Sequence, residues 1–118
     1  MLGQPIPFRR GSWVLYLCSK GKDVKFEWDA AKERANRNKH GVSFIEATLI
    51  FADKFALSIY DETHSAKEDR WISIGITPRG LIVAVHTYKK GNAGEIVRII
   101  SARKATKREA GQYMERRT

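Results

Sequence analysis

The chain has little of what most familiar reactive centres are built from. Cys18 is its single cysteine, so no internal disulfide can form and nothing points to an oxidising compartment. The three histidines, His40, His64 and His86, are scattered, and with Cys18 they make no cluster at metal-ligand spacing. No apolar run approaches the roughly 18 residues of a membrane span. The short apolar stretch Trp13 to Cys18 is followed by no small-residue cleavage site, so it does not read as a signal peptide. A Gly-rich phosphate loop, an internal repeat and a low-complexity tract are all missing. These absences lead to the expectation of a cytoplasmic protein without metal, cofactor or membrane association.

What the chain does have is positive charge, and it is unevenly placed. At 118 residues and 42% apolar composition it fits one small domain with a modest core. The formal net charge is +9, with 22 Lys/Arg against 13 Asp/Glu. From Phe26 to Val97 the ten basic and ten acidic residues cancel; Arg98 to Thr118 carries +5 and Met1 to Lys25 carries +4. Basic ends on a neutral body suggest a surface for phosphates, although a solvated basic helix with no partner has the same composition. Residues 1–25 hold two of the three prolines and three of the nine glycines, and read as an extension. That extension is either disordered or adds an edge strand over Trp13 to Cys18.

From Phe26 the pattern becomes regular. Phe26 and Trp28 flank Glu27 in strand-like alternation. Asp29 is placed to cap a helix over Ala30 to Lys39, and Gly41 terminates it. Ser43 and Glu46 make a capping box for a second helix through about Phe51, giving a helical hairpin. Strands are expected at Phe55 to Tyr60, Trp71 to Ile76, Leu81 to Tyr88 and Ile96 to Arg103. Between them lie a polar loop (Asp61 to Asp69), the turn Thr77-Pro78-Arg79-Gly80 and a turn over Lys89 to Gly94. Thr106 and Glu109 form a further capping box that opens a C-terminal helix. The fold class expected is α+β, with four antiparallel strands and helices covering one face. If Ile72, Ile74, Ile76, Leu81, Val83, Val85, Val97 and Ile99 point at the helices, then Ser73, His86, Tyr88 and Arg98 share a wet face. His86 on such a face is more often an ordinary strand residue than a catalytic one.

The block FEWDAAKERANRNKHGVSFIEA, Phe26 to Ala47, resembles the opening of the BrnT family of ribonuclease toxins from type II toxin–antitoxin pairs. RWISIG (Arg70 to Gly75), VAVHTY (Val83 to Tyr88) and RIISARKATKRE (Arg98 to Glu109) look like that family in the same order. The resemblance runs from Phe26 to about Tyr113 and implies a toxin domain over 26–118. It also implies a RelE-like fold, with a helical hairpin and a C-terminal helix on a curved antiparallel sheet. The function implied is metal-independent RNA cleavage through the substrate's own 2′-OH, with no cofactor. The partner implied is a BrnA-type antitoxin, which brings the contact to promoter DNA.

On this resemblance the candidate catalytic residues are Arg98, His86, Arg103, Lys39 and His40. Arg70, Tyr88, Lys104, Lys107 and Arg108 are the candidate RNA-binding residues. Lys39 and His40 end the first helix, where positive charge also complements the helix dipole, so a structural role fits them equally. A non-catalytic module of the same fold that binds RNA or a regulatory partner remains the alternative. Expression of the chain alone separates the two, since a toxin arrests growth and degrades RNA.

Overall fold

Alternating apolar residues and well-formed caps produce the element order directly. The computed structural model describes residues 6–9, 12–19, 22–64, 68–91 and 94–117. Strands β1 (Ile6–Arg9), β2 (Ser12–Ser19) and β3 (Lys22–Asp29) come first. Helices α1 (Ala30–His40) and α2 (Phe44–Thr48) follow, with α2 running into a 3-10 turn at Leu49–Ala52. Then come β4 (Leu57–Tyr60), a 3-10 turn at Glu62–His64, β5 (Arg70–Thr77), β6 (Gly80–Gly91), β7 (Gly94–Lys104) and α3 (Lys107–Arg117). The strands form one sheet in the order β1-β2-β3-β7-β6-β5-β4.

The caps are those expected. The Asp29 carboxylate accepts from Lys32 N, and Gly41 ends α1 at φ 71° with its N–H on Arg37 O. Few residues other than glycine adopt that left-handed backbone cheaply. Ser43 and Glu46 close the box at α2, and Thr106 and Glu109 close the one at α3.

Three expectations are corrected. The sheet is mixed, because β3 pairs with β7 in parallel, Phe26 beside Val97 and Glu27 beside Arg98. The turn expected from Lys89 is mostly strand, since β6 continues to Gly91 and β7 restarts at Gly94. Helices lie on both faces rather than one. The α1–α2 hairpin covers Phe26, Trp28, Ile82, Ala84, Val97, Ile99 and Ala102, with Val42, Phe44, Ala47 and Ile50 as its own contribution. On the opposite face Tyr113 of α3 packs on Ile74 and Val83, flanked by Phe55, Leu57, Ile72 and Leu81.

The expected wet face failed because the isoleucines of β5 face α3, while the small residues between them face the hairpin. A Cβ at Gly75 would stand 2.6 Å from Ile50 Cβ, so this strand is tailored for close approach of the 3-10 turn. Register then shifts at the Val85/His86 step of the β6–β7 pair, where Ser101 is opposite Val85 but Ile99 is opposite His86. This bulge puts the apolar Val97 and Ile99 on the hairpin face, with His86. Phe26, Phe44 and Ile50 are fully buried there, each stabilising the fold by about 1.5–3 kcal/mol.

Candidate ribonucleolytic site

The sheet divides the predicted residues between its two faces. His86 is buried on the hairpin side. Its ring meets the Phe51 ring edge-to-face, and its Nε2 lies 2.7 Å from Ser73 Oγ, which is 2.7 Å from Ser58 Oγ. Burial lowers its pKa, favouring the neutral ring. His86 and Arg98 therefore do not share a face, as alternation alone suggested. Lys39 and His40 are exposed in the last turn of α1. That helix lies on the hairpin side, where Asn36 Nδ2 donates to Ala102 O at 2.7 Å and Asn36 Oδ1 accepts from Ala102 N at 3.2 Å. Tyr88 alternates with His86, so it belongs to the same face; burial and Glu95 raise its pKa.

The opposite face gathers a different set. Register places Arg70 beside Thr87, Thr87 beside Arg98, and Arg98 beside Glu27, one row across β5, β6, β7 and β3. Phe26 and Trp28 are buried under the hairpin, so Glu27 projects to the side of α3. Arg70 and Arg98 stand two strands apart, roughly 10 Å at the backbone, a span from which long guanidinium side chains can converge. Arg98 Nη1 lies 3.9 Å from Glu27 Oε1, and Lys25 Nζ lies 3.8 Å from Glu27 Oε2. The side chain of Arg98 is 29% exposed, on the edge between packing and solvent.

Arg103 is on this face too, but it is committed. Its two Nη atoms donate to the Glu109 carboxylate at 2.7 and 2.8 Å, clamping the start of α3 to β7. That guanidinium, helped by the Thr106 N–H and hydroxyl, holds the Glu109 carboxyl down at about 2. Asp53 anchors the rest of the helix. Its Oδ2 accepts from Tyr113 OH at 2.5 Å and from Ile76 N at 2.8 Å, and its Oδ1 from Phe55 N at 2.9 Å. Burial works against that charge, but the donors outweigh it and keep the carboxyl below its usual range.

The exposed cations Lys104, Lys107 and Arg108 sit where β7 ends and α3 begins. The Thr77–Gly80 turn adds Arg79 to the same end of the sheet, with its Nη1 2.9 Å from Glu46 Oε2 and 3.4 Å from Gly41 O. Lys107 and Arg108 lie in the first turn of α3, where the helix dipole disfavours positive charge. An anion at that end would relieve both.

Sequence reasoning overlooked Glu27, Asp53 and Thr87. Glu27 had a signal, since Phe26 and Trp28 as a buried pair leave the residue between them pointing away. Asp53 had none, because its partners lie 23 and 60 residues further along the chain. Among the described residues no group of three or more His, Cys, Asp or Glu is placed to hold a metal ion, and no helix is long and apolar enough to cross a membrane.

Residues 28–109 match a family model described as the ribonuclease toxin, BrnT, of type II toxin–antitoxin systems. No curated protein matches the chain.

Proposed function

Because the chain belongs to the BrnT family of ribonuclease toxins of type II toxin–antitoxin systems, we propose that its active surface is the sheet face bearing Arg98. The reaction is metal-independent cleavage of RNA by attack of the 2′-OH on the adjacent phosphate. The observation that carries this reading is the row Arg70–Thr87–Arg98–Glu27, which sets two guanidinium groups and a hydroxyl beside a carboxylate on one face. The substrate supplies the nucleophile, so the protein has to supply positive charge around the pentacoordinate phosphate and routes for two protons. Guanidinium groups suit the first need, since each can hold two phosphate oxygens at once. Lys104, Lys107 and Arg108 then serve as the landing surface for the rest of the strand. Lys39 and His40, beyond the hairpin, take backbone contacts at most. His86 and Arg103 act through the fold.

On the same reading the fold is RelE-like. The protein acts in the cytoplasm and is neutralised by a BrnA-type antitoxin, which carries any contact with promoter DNA. An acidic partner covering the α3 end would mask both the landing surface and the row.

Arg98→Ala tests the assignment. The Arg98–Glu27 pair is loose and partly exposed, so its loss costs at most about 1 kcal/mol. A guanidinium that meets charge developing in the transition state contributes more, about 2–4 kcal/mol by analogy with oxyanion donors. The variant should keep its melting temperature within a few degrees and cleave RNA at least tenfold more slowly. Loss of cleavage only in proportion to loss of folded protein would show that Arg98 is structural.

A further inference from the structure

The geometry points to Glu27 as the group that takes the proton from the attacking 2′-hydroxyl, an inference that rests on the ribonuclease reading above. The other carboxylates described against α3 on this face are spent. Glu109 is held in a two-point pair with Arg103 and in the Thr106 cap, and Asp53 accepts from three donors. His86, the imidazole expected in the site, is buried on the other face with both ring nitrogens engaged. Glu27 differs on each count. It stands in the row with Arg98, its side chain is 17% exposed, and its cationic neighbours are at 3.8 and 3.9 Å. Those separations lie beyond hydrogen-bond reach. The two charges orient the carboxylate without occupying its lone pairs.

A base for this reaction must sit next to the group that binds the phosphate, because the 2′-oxygen and the phosphorus it attacks belong to the same nucleotide. Glu27 and Arg98 meet that requirement as direct neighbours on parallel strands. A Glu27 oxygen accepts the 2′-O–H proton while the 2′-oxygen forms its bond to phosphorus. The P–O5′ bond breaks, its electron pair goes to O5′, and O5′ takes a proton from water. The products are a 2′,3′-cyclic phosphate and a 5′-hydroxyl end. Glu27 then returns its proton to solvent.

The test uses the full chain, with and without added ribosomes, on a mixed-sequence single-stranded RNA. A matched RNA carries sulfur at the 5′-bridging position, and rates are followed across pH. Wild type should leave 2′,3′-cyclic phosphate ends. Glu27→Gln should cleave about 10²–10⁴-fold more slowly. It should also lose the rise in rate with pH on the acid side and bind RNA no more weakly than wild type. The sulfur leaving group should not restore it, because the missing function acts on the nucleophile. Glu27→Asp should recover part of the rate together with the acid-side rise. If wild type cleaves and Glu27→Gln stays within threefold with the same pH profile, the assignment to Glu27 is overturned while the ribonuclease reading stands. If wild type itself yields no cleavage, the ribonuclease reading of this face falls, and the inference with it.

Discussion

Ser58, Ser73 and His86 form a hydrogen-bonded chain that ends at the carbonyl of Thr87, 3.2 Å from His86 Nδ1. Nδ1–H donates to that carbonyl, so a neutral ring accepts from Ser73 at Nε2. A second ring proton would have to displace the serine hydroxyl's hydrogen in a site already short of water. Burial depresses the pKa below 6.5 in the folded state, outweighing the Thr87 carbonyl, which favours the charged ring. The unfolded chain then binds a proton that the native chain refuses, so stability is intact above about pH 6.5 and falls as pH drops below it. Urea denaturation should find the protein less stable at pH 5.5 than at pH 7.5 by on the order of 1 kcal/mol from this residue. His86→Gln should flatten that difference. An unchanged pH slope in the variant would place the titration elsewhere. The sequence showed His86 as a strand residue but could not show its side. It shares its face with Ile82 and Ala84 by plain alternation, but the extra residue Ile100 in β7 swaps the faces of Val97, Arg98 and Ile99 relative to it, and a bulge leaves no mark in a run such as RIISAR. Arg98 and Glu27 were better defined by alternation with Val97 and with Phe26 and Trp28. Their pairing was not, because it joins β3 to β7 across 71 positions of chain.

At the scale of elements, the hairpin and the sheet are fitted by subtraction of side chains. Ser73, Gly75 and Ala84 are small where the α1–α2 layer descends, and Ile50 fills the space above Gly75. Gly75→Ala should push the 3-10 turn off the sheet and destabilise the fold by about 1–3 kcal/mol. Chemical denaturation measures this directly, and a neutral result would mean that the turn yields without cost. The elements themselves were readable from caps and periodicity: Asp29, Gly41, the Ser43–Glu46 box and the Thr106–Glu109 box all stand where sequence put them. The layer each helix joins was not readable. An apolar side chain such as Tyr113 says that a helix has an inner side, not which face of a sheet receives it.

For the whole molecule the governing quantity is the +9 charge and its concentration near the chain ends. RNA affinity should fall steeply with salt, each phosphate neutralised on a single strand contributing a slope of about −0.7 in log K against log salt. Neutralising Lys107 and Arg108 together should reduce the magnitude of that slope by about 1.4, read by fluorescence anisotropy over a potassium chloride series. The same slope in wild type and variant would remove this end of α3 from the RNA surface. The parallel pairing of β3 with β7 has a further consequence, in time rather than in space. Glu27 lies just ahead of the family-matched region, and Arg98 lies near the end of that region. Until β7 leaves the ribosome, β3 lacks its β7 neighbour and the row across the sheet cannot exist. On the reading proposed above, the active surface is assembled only once β7 has been synthesised and paired with β3.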